Sequence, residues 1–507
     1  MIALFPVFLV YQQNIHLVLL QGLILPILII LSIAIALWYG LKIILKNTIK
    51  SALLSSFYTF LFFSYGHVFT IIESNFIQES LIPTHVILLI SYTACVVLGT
   101  YCIVKTNQKL NDTTKIVNVM SIAAIVFVFF NIGIHDFENS YNSLQEENSN
   151  PIVLGNDLRN TPDIYYIIMD EYAPLRTLER YYDYDNSDFV KFLEEKGFYV
   201  TKNSHSNYAQ TSTSLASTLN MKYLNYLSDI VGESKDHGIL YQMLDNNLVM
   251  KSFKSAGYQI YSFDSGAWST RSLNIADENL CSKNQNVDFR TFYQLKQTSI
   301  LRSLDMFIKE PTSRIFHQEH RDRILCQFDE ITKIKQGIEE PIFVFMHVLS
   351  PHDPFVFGPN GEEVDYEYTF GPTGEPVSLT SSEGIKAYRD QVTYVSKLLQ
   401  QTIDKLIENS DSPPIIILQS DTGPSIDFAD TTNEAHYIGR MSIINAYYFP
   451  DGKYDLLYHD ITPVNSFRAV FDSQFQTNNG LLKDKLFFST YEKLFTFIEI
   501  TDSVIVR

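Results

Sequence analysis

The sequence predicts a chain of two classes: an N-terminal multi-span α-helical membrane domain, then a C-terminal α/β domain with a largely parallel sheet flanked by helices. Three observations carry this. Apolar stretches before about residue 134 are long enough to cross a bilayer, which takes roughly 20 residues. From Pro162 onward, short apolar runs alternate with helical patterns, the signature of a parallel α/β sheet. Three of those runs, IYYIIMD, PIFVFMH and PIIILQSD, each reach a group able to bind a metal or a phosphate, namely Asp170, His347 and Asp421.

The membrane domain, residues 1–134, has expected spans at Leu17 to Ile44, Ser51 to Ile72, Leu81 to Val104 and Val117 to Ile134. Ile2 to Tyr11 is short for a span by itself; it either begins a fifth crossing or lies in the interface. No basic start and no small-residue cleavage site mark a cleaved signal peptide. Lys42, Lys46 and Lys50 share one loop, and Lys105, Lys109 and Lys115 another, with two spans between them. Both loops therefore face one side, which the positive-inside rule makes cytoplasmic. The expectation is a multi-pass protein of a bacterial-type inner membrane with its soluble part outside the cytoplasm.

Residues 1–134 carry six Lys and three acidic residues, a balance of +3, which leaves −21 for the rest of a chain of net charge −18. So acidic a soluble part argues against nucleic acid as a partner. Any anionic substrate must then be met by a metal or by a local cluster of His and Arg. Oligomeric state has no sequence signal. Cys95 and Cys102 fall in a span and read as small packing residues; Cys281 and Cys326 lie in the exported part, where pairing and non-pairing both stay open.

The linker, residues 135–161, is polar, acidic and rich in Asn and Ser. In the domain that follows, residues 162–507, strands are expected at Asp163 to Met169, Phe198 to Thr201, Gln259 to Phe263, Ile342 to Met346 and Ile415 to Leu418. Helices are expected at Ser187 to Lys196, Thr213 to Tyr226, Gly238 to Ala256, Ile300 to Ile308, Arg321 to Gln336 and Gly384 to Asn409. A loop with several Gly and Pro runs from Pro354 to Pro376.

In open α/β sheets ligands sit at the carboxyl ends of the strands, so Asp170, His347 and Asp421 should converge. Taken singly, each Asp reads as a cap of the following turn. As a pair at equivalent strand ends, they are what a divalent cation needs to polarise a phosphoryl oxygen. Thr211, in QTSTSLAS, precedes a helical segment, whose dipole would favour its ionised form as a nucleophile; alone it reads as an ordinary N-cap. His347 and His352, in HVLSPHDPF, suit binding of a phosphate oxygen or protonation of a leaving group, with a core role open for His347. His436, in NEAHYIGR, follows Asp421 by fifteen residues and is a weaker candidate, with a surface loop residue as the plainer reading.

IYYIIMDEYA, NYAQTSTSLASTLNM, HVLSPHDPF, SDTGP and INAYYFP with ITPVNSFR resemble the membrane-anchored sulfatase-like branch of the alkaline phosphatase superfamily, whose wider circle includes lipoteichoic acid synthases and phosphoethanolamine transferases. The resemblance covers nearly the whole chain. It implies that Asp170, Thr211 and Asp421 are metal ligands, that Thr211 is a nucleophile forming a phosphothreonine, and that His352 binds substrate phosphate. It also implies one divalent metal, zinc, and membrane lipids, envelope glycans or lipid-linked molecules as substrates. Position 211 is Thr and the Cys-x-Pro-Ser-Arg pattern of true sulfatases is absent, which argues against sulfate ester hydrolysis through formylglycine.

The sequence departs from that pattern at two places. Asp421-Thr422-Gly423 stands where the family has Asp-His-Gly, and Glu171 stands where Gly is common. A hydroxyl at Thr422 leaves an all-oxygen set, which favours Mn, Mg or Ca over zinc. Otherwise His436 or Glu171 rebuilds the coordination, or the metal and the activity are lost. Two functions follow as expectations: a metal-dependent phosphoryl-group transferase or hydrolase, or an inert relative acting as an envelope binding or scaffold module.

Overall fold

Four long helices form where the sequence is almost unbroken in apolar residues: Ile24–Leu45, Thr48–Phe76, Thr84–Lys105 and Asn111–Gln145. At 1.5 Å per residue the shortest are about 33 Å long, enough for a hydrocarbon core of about 30 Å. Their outward side chains are apolar, as at Ile33, Ile90 and Phe130. A shorter helix, Phe5–Gln13, is too short to span alone. The computed structural model describes residues 4–13, 20–76, 84–108, 110–145, 150–154, 161–232, 236–267, 269–282, 289–306, 311–364, 381–410, 412–424 and 434–505.

The chain folds into two compact units, Met1–Ser140 with Lys283–Thr312, and Tyr141–Ser282 with Ser313–Arg507. In the first, Lys50 Nζ donates to the carbonyls of Val104 at 2.8 Å and Thr106 at 2.9 Å. The start of one helix therefore lies beside the end of the next, and the two lysine-bearing turns share one end of the bundle. The segment from the helix Phe289–Thr298 to the 3₁₀ turns Ile300–Met306 belongs to this unit, although it comes from the stretch read as part of the α/β domain. Gly66 makes the approach possible: a Cβ there would lie 2.0 Å from the Gln297 carbonyl. Arg302 then donates to Thr70 Oγ1 at 2.8 Å and covers the Phe69 ring.

The second unit is built on β1 (Ile164–Met169), β2 (Tyr199–Val200), β3 (Gln259–Phe263), β4 (Glu278–Leu280), β5 (Ile342–Val348), β6 (Ile415–Gln419) and β7 (Asn445–Tyr448), in the order β2-β7-β6-β1-β5-β3-β4. The five strands from β6 to β4 are parallel; β7 and β2 add antiparallel pairs at one edge. A separate hairpin pairs β8 (Phe487–Thr490) with β9 (Lys493–Glu499). Both faces of the sheet are covered, so alternate strand residues enter two cores: Ile164, Tyr166 and Ile168 one, Tyr165, Ile167 and Met169 the other.

Local chemistry moved several boundaries. The expected helix Gly238 to Ala256 is two, Gly238–Asp245 and Leu248–Ser255, because Asn247 Oδ1 accepts from Met250 N at 2.8 Å and starts a new helix. The expected helix Thr213 to Tyr226 is Thr211–Asn220, ended by Met221 in the left-handed region. The expected Arg321 to Gln336 helix is Pro311–Glu330. The last apolar helix runs on to Gln145, so the first part of the polar linker is helical. Residues 146–149 and 155–160 of that linker, and 365–376 of the Gly/Pro loop, lie outside the described residues. Cys281 and Cys326 form a disulfide with Cα atoms 5.9 Å apart, joining the chain on either side of its excursion into the first unit.

Candidate metal centre and its surroundings

β6, β1 and β5 are neighbours, and their carboxyl ends carry the three groups singled out from sequence. Ile168 of β1 is in register with His347 on one side and with Gln419 on the other, so Asp170, His347 and Asp421 end within about two residues of one level. Ligand atoms of these three lie within 4.8 Å of one another, and all three residues are buried. His347 Nε2 is 3.6 Å from Asp170 Oδ2, close to the ~3.4 Å expected between two donors of a tetrahedral site with bonds of about 2.1 Å. The period of two along β5 puts His347 on the same face as Phe343 and Phe345, where Leu215, Ala216 and Leu219 of the Thr211–Asn220 helix also pack.

The donor set is therefore not all-oxygen. His347, expected to face substrate phosphate, is fully buried and supplies an imidazole to the cluster. Thr270 Oγ1 hydrogen-bonds His347 Nδ1 at 2.7 Å, which turns Nε2 toward the aspartates, and Gln327 donates to the His347 carbonyl at 2.8 Å.

Among the described residues, Asp170 Oδ1, His347 Nε2 and Asp421 Oδ2 have no hydrogen-bond partner. A buried polar atom without a partner costs about 1 to 3 kcal/mol, more when charged. Each of the three clustered residues thus carries a buried atom without a partner, which fits a divalent cation. The carboxylates respond to each other as expected. Burial pushes the Asp421 carboxyl up, helped by the charge of Asp170. For Asp170, burial is outweighed by His352, His347 and Arg440, which hold it below the usual range.

Thr211 opens its helix, half-buried, and its hydroxyl interacts with the Asp421 carboxyl. Ser214, one turn on, donates to the Asp421 carbonyl at 2.6 Å, tying the helix to the end of β6.

Thr422 is fully buried; its hydroxyl has no partner among the described residues, and its carbonyl accepts from Ser420 at 2.6 Å. Gly423 is confined, since a Cβ would meet the Gly439 carbonyl at 2.1 Å. His436 lies outside the cluster, its ring against Tyr437 and Phe488. Glu171 is also outside it. Its backbone is left-handed at φ 59°, where Gly is favoured. Its carboxylate is ion-paired with Arg440, and its carbonyl accepts from Tyr388 at 2.7 Å.

His352 is partly exposed. Its backbone N–H donates to the Asp170 carbonyl at 3.1 Å, its Nε2 is 3.8 Å from Glu171 and its Nδ1 is 3.1 Å from Asp353. Burial works against its protonation, but Glu171, Asp170 and Asp353 hold it well above the ordinary imidazole range.

Sequence reasoning missed Arg440 and Thr270. Arg440 is buried and donates to Ala209 O and Gly423 O, both at 2.8 Å, and to Glu171, so it clamps the segment before Thr211 to the segment after Asp421. Its one available signal was its position a helical turn after His436. Thr270 had none, being one of many hydroxyl residues in a loop.

No curated protein matches the chain. Solved structures that it resembles include the C-terminal periplasmic domain of EcEptC from Escherichia coli in complex with Zn, at 13% identity and a TM-score of 0.44 over 70% of this chain and 99% of that one. Another is the integral membrane protein lipooligosaccharide phosphoethanolamine transferase A from Neisseria meningitidis, at 12% identity and 0.38 over 92% of each chain. A third is a phosphonate monoester hydrolase of Agrobacterium radiobacter, at 12% and 0.39 over 65% of this chain and 80% of that one. The family model for sulfatases matches residues 163–491, which contain every residue of the cluster, and the chain belongs to the sulfatase family.

Proposed function

We propose that this protein is a membrane-anchored, metal-dependent phosphoryl-group transferase or hydrolase that uses Thr211 as its nucleophile on envelope lipid head groups or glycans. The observation that carries the reading is the set of three partnerless buried donors, Asp170 Oδ1, His347 Nε2 and Asp421 Oδ2, beside a threonine at a helix N-terminus. Asp170, His347, Asp421 and Thr211 would hold the ion. One nitrogen with three oxygens suits zinc or manganese better than calcium. When bound, the ion supplies a Lewis acid that polarises the phosphoryl group and lowers the pKa of the threonine hydroxyl.

Thr211 Oγ1 forms a bond to phosphorus while the bond to the leaving oxygen breaks. The hydroxyl proton ends on that departing oxygen, so an alcohol is released and nothing is oxidised or reduced. Water or an acceptor hydroxyl then bonds to phosphorus as the bond to Thr211 Oγ1 breaks, and its proton returns to Thr211 Oγ1. His352 hydrogen-bonds a phosphoryl oxygen from the exposed side, and Arg440 with Glu171 positions the strand-end loops. The lysine-bearing end of the helical bundle faces the cytoplasm, which puts the catalytic unit outside it.

An inert binding role has Thr422 in its favour, because that residue offers a hydroxyl where the resembled pattern has a histidine. Metal analysis of the full-length chain and mass spectrometry of Thr211 after incubation with a model phosphodiester separate the two. About one zinc or manganese per chain with phosphate on Thr211 supports the enzyme. Metal-free protein with unmodified Thr211 leaves the binding role.

A further inference from the structure

A second pocket of the α/β unit, about 480 Å³ in volume, shares no residue with the metal cluster. Arg176 and Arg180, one turn apart on the helix Leu175–Tyr182, stand at its exposed rim with Lys202. Among the described residues none of the three forms an ion pair with a carboxylate, although the part of the chain that contains them is strongly acidic. Its lining also includes His205, 8% exposed, whose Nδ1 has no hydrogen-bond partner among the described residues. Asp460 is the one acidic group in the lining, so the fixed charge is +2 with His205 neutral.

Burial keeps His205 neutral, Asp460 and Arg176 both act on it, and its single N–H is drawn to the Asn203 carbonyl, which leaves the other ring nitrogen as an acceptor. Three cations without a carboxylate partner among the described residues, gathered at the rim of one pocket, form a site for an anion with several acceptor oxygens. The volume exceeds what one small ion fills, leaving room for the group that carries it.

We infer that the pocket bounded by Arg176, Arg180, Lys202 and His205 binds a phosphate-type oxyanion borne on a larger envelope molecule, at a place separate from the metal cluster. Such a site would hold a charged polymer or head group by a second point, whatever chemistry takes place at Thr211.

Titration calorimetry of the full-length chain in detergent with inorganic phosphate tests this, using protein stripped of metal by a chelator. Phosphate binding that survives stripping, falls at least tenfold in Arg176→Gln/Arg180→Gln and tightens in Asp460→Asn is the expected result. Acetate should bind at least tenfold more weakly than phosphate. Binding that disappears on stripping, or is unchanged by the arginine substitutions, would overturn the assignment, as would equal affinity for acetate. Asp460→Asn carries the test if the double substitution does not fold, because unchanged or weakened binding in that variant also refutes the site. Metal content of the unstripped variants reads the cluster separately.

Discussion

The membrane helices and the strand ends treat polar side chains in opposite ways. In the helices, hydroxyls turn back on the preceding turn: Ser32, Thr59, Ser91, Thr93, Thr100 and Ser121 each donate to the carbonyl four residues earlier, at 2.6 to 2.9 Å. No partnerless buried side-chain atom occurs among the described residues of those helices. At the ends of β1, β5 and β6 the reverse holds: Asp170, His347, Asp421 and Thr422 all carry one. Both regions are low in dielectric, so the same penalty operates in each. A hydroxyl on a helix can meet it locally, whereas four polar residues gathered at strand ends need something external. The contrast marks the site more sharply than residue type does.

On that contrast, the largest effect comes from removing a charge. Asp421→Asn should lower metal affinity at least about a thousandfold yet raise the melting temperature of the metal-free chain, because burial and the charge of Asp170 hold that carboxyl above its usual range. Calorimetric metal titration and a thermal melt read both, and a metal-free variant less stable than the parent would break the comparison.

His205 tests the penalty away from the cluster. Burial lowers its pKa from the usual 6.5 to about 4. The folded state thus resists a proton that the unfolded chain accepts, so this contribution is complete above pH 6.5 and is lost as pH falls toward 4. The shift corresponds to at most about 3 kcal/mol. Denaturant unfolding of the full-length chain at pH 7 and pH 4.5 should show a larger loss for the parent than for His205→Gln.

Thr270→Ala, which frees His347 to turn, should weaken metal binding about 10- to 100-fold and cost about 1 to 3 kcal/mol when metal-free, because the buried His347 Nδ1 loses its partner. At the small end, Thr93→Val should change stability by only a few tenths of a kcal/mol, since it removes one local helix bond and leaves no partner buried alone, the carbonyl still having its backbone donor. A loss above 1 kcal/mol there would show that the helices depend on such bonds more than the contrast allows.

Much of this was legible in the chain itself. β1, β3, β5 and β6 lie where short apolar runs rich in Ile, Val and Phe predict them, since burial on both faces leaves a continuous apolar signal. β4, β7 and the β8–β9 hairpin escaped: β4 is three residues at the sheet edge, β7 and β8 are largely buried but only four residues each, too short to show a period, and β9 is half-exposed. The break at Asn247 was written in the sequence as a capping residue, but apolar spacing on both sides concealed it.

The site divides in the same way. Sequence alone determined that Asp170 and Asp421 follow buried strands of one kind and that Thr211 lies at the start of a helix, because those are consequences of local apolar pattern and helix entry. Which third residue joins the aspartates was decided by tertiary structure: the pairing of β5 beside β1 and the pleat that turns residue 347 toward the Thr211 helix bring His347, not His436 or Glu171, to them. The Arg440–Glu171 pair and the Thr270 bond to His347 likewise join residues far apart in sequence, and side-chain contacts across such distances leave no period or spacing for a sequence to display.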